Sequence, residues 1–168
     1  MARRIEEAGI SRVTVSIDGT EAVHDNIRTA GSYAACRKAI FALQNTAVQV
    51  FAATTVTGDN FEDLPRLREA LESMQVQNWS LQLGLPYGNF VPRKMKVLDP
   101  DQVRDLIEFC LETEVRGKMV VYPGDTIGCY TKKEIFVRKQ ALGTEKLPVF
   151  QGCPAGISAA SVSNSGDI

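Results

Sequence analysis

The sequence contains one histidine, one tryptophan and four cysteines, and its 19 basic side chains are nearly cancelled by 20 acidic ones. Each shortage excludes something. A lone histidine, His24, leaves a Ser-His-Asp triad no choice of base. A nucleophilic Cys/His pair would require His24 and Cys36 to converge from two consecutive segments, and is not expected. Cys36, Cys110, Cys129 and Cys153 form no Cys-x-x-Cys pair, so a cytoplasmic chain with reduced thiols is expected. The formal net charge of −1 argues against nucleic acid or an anionic membrane surface as partner. No apolar run approaches the roughly 20 residues of a membrane span. The opening Met-Ala-Arg-Arg-Ile-Glu-Glu is charged and helical rather than a signal peptide. The motifs G-x-G-x-x-G, G-x-x-x-x-G-K-[ST], G-x-S-x-G and H-E-x-x-H are all missing, which removes their nucleotide, hydrolase and zinc chemistries.

What is present alternates. Residues 2–8 read as helix ending at Gly9, followed by a strand over Val13–Ile17. A helix is expected from Ser32 to Gln44, with Tyr33, Cys36, Ile40 and Leu43 on one face and Cys36 a small core residue. A strand over Val48–Val56 ends at Gly58-Asp59-Asn60, which is expected to cap a helix carrying Leu64, Leu67, Leu71 and Met74 inward. Trp79–Leu85 alternates as a third strand and breaks at Pro86-Tyr87-Gly88-Asn89. A loop with Arg93, Lys94 and Lys96 reads as solvated. Asp99-Pro100 supplies N-cap and N1 for a helix with Val103, Ile107, Cys110 and Leu111 inward, and Lys118–Tyr122 is a fourth strand. Four strand–helix alternations over residues 1–125 specify a parallel α/β sheet, either open or part of a barrel. Residues 126–168 read as a loop-rich tail. Both ends are abrupt, and the chain reads as a piece of something longer.

The stretch Val13-Thr14-Val15-Ser16-Ile17-Asp18-Gly19, continued by His24-Asp25-Asn26-Ile27-Arg28, carries the most chemistry. It is a strand whose C-terminal end delivers polar side chains into a loop, and that edge is where α/β folds bind ligands. The plain alternative is that Asp18 caps the next segment, Gly19 supplies a positive φ, and His24, Asp25 and Arg28 are solvated.

Taken with Gly31-Ser32-Tyr33, Thr54-Thr55-Val56 and Trp79-Ser80-Leu81-Gln82, this series resembles the middle of radical S-adenosylmethionine enzymes. The tail, with Gly124-Asp125-Thr126-Ile127-Gly128, Gln151-Gly152-Cys153-Pro154-Ala155-Gly156 and Ser165-Gly166-Asp167-Ile168, resembles the opening of the SPASM extension that binds auxiliary iron–sulfur clusters. The resemblance implies the later half of a partial (β/α)6 TIM-like barrel over residues 1–125 and a SPASM-like start over 126–168. Ser16 would help hold the amino or carboxylate group of S-adenosylmethionine, and Arg28 would pair with its carboxylate. Thr55 and the Leu83–Leu85 backbone would lie near the ribose, adenine or substrate. Cys153 would be the first auxiliary cluster ligand, its next partner falling beyond Ile168; Cys129 departs from the pattern and reads as structural or free.

The family's defining Cys-x-x-x-Cys-x-x-Cys, which binds the [4Fe–4S] cluster, would precede residue 1. The isolated 168-residue chain is therefore expected not to cleave S-adenosylmethionine. Such enzymes act through a 5′-deoxyadenosyl radical on peptides, proteins or peptide-derived substrates, the cofactor doing the hard chemistry. Two other readings stay open. One is a non-catalytic α/β module that binds a peptide or partner, or self-associates through uncovered barrel edges. The other is a phosphate-binding barrel relative, although no Gly-rich phosphate loop is visible.

Overall fold

A computed structural model describes residues 1–86, 94–124, 126–128 and 131–146. The expectations placed on Tyr87-Gly88-Asn89, Arg93, Asp125, Cys129 and the Cys153 region lie outside the described residues. Among the described residues four strands form one parallel sheet in the order of the sequence: β1 (Arg12–Ser16), β2 (Gln49–Val56), β3 (Asn78–Leu83) and β4 (Val120–Pro123). A doubly wound sheet must reverse its strand order somewhere. This one does not, and right-handed crossovers then place every connecting helix on the same face. The result is an arc of a TIM-like β/α barrel, with α3 (Ser32–Leu43), α4 (Leu64–Ser73), α5 (Pro100–Val115) and α6 (Lys132–Leu142) following successive strands. Two short helices, α1 (Ala2–Glu7) and α2 (Glu21–Ile27), precede and follow β1.

Side chains on a strand alternate between faces, so the register sorts them. Val15, Ala52, Trp79 and Val121 align across the sheet on the helix side, and the last three are fully buried. Their core includes Ile40 from α3, Leu67 and Leu71 from α4, and Leu106 and Cys110 from α5. Trp79 is locked in two ways. Its ring meets Phe109 edge-on at 5.7 Å, and its Nε1–H donates to Thr54 Oγ1 at 2.9 Å. The Thr54 hydroxyl donates in turn to Ile17 O at 2.6 Å, so one buried polar chain ties β3 through β2 to the end of β1.

The opposite, inner face is far more polar. Ser16, Ala53, Ser80 and Tyr122 form one row and Thr55 and Gln82 the next. Below them Phe51 packs on Tyr122 at 5.4 Å, with the Arg12 guanidinium 4.4 Å over the Phe51 ring.

Local structure follows the sequence at most ends. Gly9 turns out of α1 with φ +74°. Asp99 and Gln102 complete a capping box at α5, with Pro100 in its first turn, an arrangement that stabilises such an end by about 1 kcal/mol. Inward on α5 are Leu106, Ile107, Cys110 and Thr113; Val103 and Leu111 are half-buried. The loop before α5 is tied down by its backbone, with Lys96 N–H donating to Asp59 Oδ2 at 2.9 Å and Gly58 N–H to Lys96 O at 2.7 Å.

The part of the tail expected to be loop holds a helix. α6 starts at Thr131, whose Oγ1 accepts from Glu134 N–H at 3.2 Å, and it packs on α5 and β4. Its buried face is Glu134, Val137 and Arg138. A helix that buries an ion pair shows no apolar stripe, which is why its periodicity is missing from the sequence. Arg138 donates to Glu134 Oε1 through Nε at 2.9 Å and also holds Pro123 O at 2.8 Å and Gly124 O at 3.0 Å. That clamp fixes the C-terminal end of β4. Gly124 is needed there because a Cβ would meet Gln82 Cγ at 2.7 Å and Leu81 O at 2.9 Å.

Candidate cofactor site at the C-terminal strand ends

Beyond β1 the chain turns inward, and Ile17, Asp18 and Gly19 are all buried. Asp18 is 1 % exposed, and its four polar atoms are all engaged. Its N–H donates to His24 Nδ1 at 2.9 Å, and its carbonyl accepts from Asn60 Nδ2 at 2.7 Å. Its Oδ1 accepts from Thr55 N–H at 2.9 Å, and its Oδ2 accepts from Arg28 Nε and forms an ion pair with it. A buried carboxylate requires such pairing, since taking a bare charge out of water costs far more than any single contact returns.

The elements around Asp18 are tied to one another. Asn60 Nδ2 also donates to Thr55 O at 2.9 Å, while its Oδ1 accepts from Thr57 N–H at 2.7 Å. Asp63 accepts from Thr20 N–H at 2.6 Å and from the Thr20 hydroxyl at 2.9 Å, pinning the start of α2 to the start of α4. Gly19 lies at that junction, where a Cβ would fall 2.6 Å from Val23 Cγ1 and 3.0 Å from Asp63 Oδ2. Asp25 reaches the start of α3, accepting from Gly31 N–H at 2.6 Å and Tyr33 N–H at 2.8 Å. These backbone donors hold the Asp25 carboxyl below its ordinary pKa.

Several readings from sequence change here. Asp18 is not a helix cap; Thr20 occupies the N-cap of α2. Gly19 does not adopt a positive φ; close approach, not backbone conformation, demands glycine. Asn60 precedes a 3-10 turn, Phe61–Asp63, without capping it through its side chain; its amide is spent on Asp18, Thr55 and Thr57. His24 is 1 % exposed rather than solvated.

His24 and Cys36 do converge, contrary to expectation, with Nε2 and Sγ 3.9 Å apart. Because Nδ1 accepts the Asp18 N–H, the neutral ring carries its proton on Nε2. Burial keeps the ring neutral by pushing its pKa down from 6.5. Burial also pushes the Cys36 thiol up, and Sγ donates to Ser16 O at 3.4 Å. A protonated imidazole nitrogen facing a protonated thiol is neither a base nor a nucleophile.

The residues singled out from the sequence sit as follows. Ser16 ends β1 on the inner face and is exposed. Arg28 closes α2, its side chain 44 % exposed. Thr55 is half-buried on the inner face and joins Arg28 on the same carboxylate through its backbone N–H. The structure therefore gathers Arg28 and Thr55 on Asp18, two residues beyond Ser16. Nearby, Leu83 N–H donates to Thr126 Oγ1 at 2.9 Å and Gly84 N–H to Val56 O at 2.7 Å, so those two amides serve the strand ends themselves. The residues that sequence reasoning missed are Asp18 as a hub, Asn60 and Asp63.

An exposed hydroxyl and a guanidinium held in place at one strand end suit the amino-acid end of a small cofactor. An iron–sulfur cluster does not fit the described cysteines. Cys110 is buried with its thiol pushed up to about 12, Cys36 stays protonated, and cluster ligation needs thiolates. Among the described residues no three His, Cys, Asp or Glu side chains are grouped to hold a metal ion. A groove of about 1040 Å³ lies at the other end of the sheet between Gln49, Asn78, Glu72 and Lys118. In parallel barrels that N-terminal end serves stability, and the C-terminal end serves chemistry. Among the described residues no helix is long and apolar enough to cross a membrane.

Fold and site together define an arc of a parallel β/α barrel with a polar site at its C-terminal strand ends. No family model matches the chain. It is similar to the AdoMet-dependent heme synthase of Oleidesulfovibrio alaskensis (strain ATCC BAA-1058 / DSM 17464 / G20), at 25 % identity over 183 aligned positions, 99 % of this chain and 45 % of that protein. The chain thus spans about half the length of the curated relative it matches. That protein is, by its name, dependent on S-adenosylmethionine.

Proposed function

We propose that this chain forms part of the barrel wall of a radical S-adenosylmethionine enzyme and contributes one side of the cofactor's methionine-binding site. The observation that carries this is an exposed Ser16 hydroxyl at the strand end where Asp18, a buried carboxylate two residues on, moors the Arg28 guanidinium. Ser16 can donate to or accept from the amino-acid end of the cofactor, and Arg28 presents a cation to its carboxylate. Thr55 and the inner rows Ser80–Tyr122 and Gln82 would form the wall facing ribose and substrate. With S-adenosylmethionine held there beside an iron–sulfur cluster, the group would supply radical hydrogen-abstraction chemistry, and the substrate we propose is a peptide, protein or peptide-derived molecule. Cys153 would serve an auxiliary cluster of the SPASM type.

The test is a two-dimensional NMR titration of the labelled chain with S-adenosylmethionine. Shifts confined to Ser16, Arg28, Thr55 and their neighbours are expected at millimolar ligand. Shifts centred on the groove at the opposite sheet end, or none, would overturn the reading. Anaerobic reconstitution with iron and sulfide is expected to give no cluster absorbance in this chain by itself, and a stoichiometric [4Fe–4S] signal would contradict that. The competing non-catalytic reading rests on β1 and β4, which among the described residues each leave one edge unpaired in the sheet. It predicts dimers or larger species by light scattering and no response to the cofactor.

A further inference from the structure

We infer that Asp18 is the positioning residue that aims Arg28 at the carboxylate of the cofactor, and that the site thereby selects ligands with a free amino-acid end. This rests on the reading of Arg28 as a carboxylate contact and assigns the group that makes it one. Arg28 stands at the C-terminus of a seven-residue helix, with its side chain 44 % exposed. Left to itself, a long cationic side chain in that position would spread over many rotamers. Asp18 prevents this. Its carboxylate is 1 % exposed, accepts Arg28 Nε on Oδ2, and cannot turn away because Oδ1 is held by Thr55 N–H at 2.9 Å. Its backbone is held from both sides, by His24 Nδ1 at 2.9 Å and Asn60 Nδ2 at 2.7 Å. The anchor is thus fixed by β1, β2 and α2 together, and the guanidinium plane is set by the bond at Nε. A planar, charge-delocalised donor fixed this way recognises a carboxylate by geometry as well as charge.

The test compares S-adenosylmethionine with 5′-methylthioadenosine, which keeps the nucleoside and lacks the amino-acid end. In the unsubstituted chain, S-adenosylmethionine is expected to bind more tightly. Asp18→Asn should weaken it about tenfold, the scale of one charge-assisted contact, and leave 5′-methylthioadenosine unchanged. Arg28→Ala should match that loss, and the double variant should be no weaker than Arg28→Ala, the mark of two residues acting as one unit. Loss with Arg28→Ala but not with Asp18→Asn overturns the role of Asp18 and leaves the half-site standing. No loss with Arg28→Ala, or no binding by the unsubstituted chain, overturns the half-site itself. If Asp18→Asn fails to fold, the unsubstituted chain still decides. Its Arg28 Nε–H resonance should exchange slowly with solvent and shift with S-adenosylmethionine but not with 5′-methylthioadenosine; a rapidly exchanging Nε–H overturns the anchoring.

Discussion

Asn60→Asp is nearly isosteric and is the most demanding test of the strand-end network. Asn60 is 1 % exposed, and its Nδ2 donates to Asp18 O at 2.7 Å and Thr55 O at 2.9 Å. Aspartate puts an oxygen where that nitrogen stood, so two donated bonds become two contacts between acceptors. Each lost bond is worth about 1 kcal/mol, and each carbonyl left unpaired adds about 1 kcal/mol or more. Retained bonds from Thr57 N–H and the Thr57 hydroxyl to Oδ1 offset none of this. The expected loss at neutral pH is therefore at least about 4 kcal/mol, a large share of a stability of roughly 5–15 kcal/mol. The pH dependence is diagnostic. Burial and two facing carbonyls raise the folded-state pKa of the new carboxyl above its unfolded value of about 3.9. Its protonated form can donate to one carbonyl, so the variant comes closest to the parent below about pH 4 and falls behind as pH rises through the folded pKa. Urea unfolding followed by circular dichroism at about pH 4 and pH 7.5 measures this. An Asn60→Ala control should lose stability without that slope. A neutral-pH loss under about 1 kcal/mol, or a deficit that shrinks as pH rises, would refute the network as described.

Other parts of the structure make independent claims. Trp79→Phe removes the indole donor to Thr54 and leaves a void against a fully buried site, so it should cost about 2 kcal/mol in urea unfolding; a loss below about 0.5 kcal/mol would refute the Trp79–Thr54–Ile17 relay. His24, its pKa lowered from 6.5 mainly by burial, contributes stability that is complete above 6.5 and lost as pH falls through the lowered folded value. The urea midpoint should drop on acidification from about pH 7.5 to 5, and a His24→Asn variant should show a smaller drop. Cys110, with its thiol pushed up to about 12, should stay unmodified by iodoacetamide in the folded chain and react once unfolded in urea, as read by peptide mass spectrometry. Equal rates in both states would contradict its burial.

What was legible in the sequence was whatever is local and periodic. Leu64, Leu67, Leu71 and Met74 are all buried as their spacing predicts, and each of the four strands lies within two residues of its expected limits. The capping pair Asp99-Pro100 could be read because a cap is a bond between near neighbours. Helix α6 could not, because its buried face is Glu134 and Arg138, which alone look like surface charges. Gly58-Asp59-Asn60 looked like a cap for the same reason in reverse. Its composition suits a turn, while its work is done on Asp18, 42 residues earlier.

The candidate site is built almost wholly from such distant pairs. Asp63 meets Thr20 across 43 residues and Thr55 meets Asp18 across 37. None leaves a period or a motif, and none can form before β1 and β2 are in register with Ser16 opposite Ala53. The position of Arg28 is then a consequence of sheet formation, not of its own short helix. Buried polar networks of this kind are satisfied together or not at all, so a change at Asn60 or Thr55 that never touches a ligand should still be felt at Arg28. This coupling separates a built site from a chance cluster of surface charges. A solvated Arg28 would be indifferent to Asn60, whereas an Arg28 moored through Asp18 must follow it.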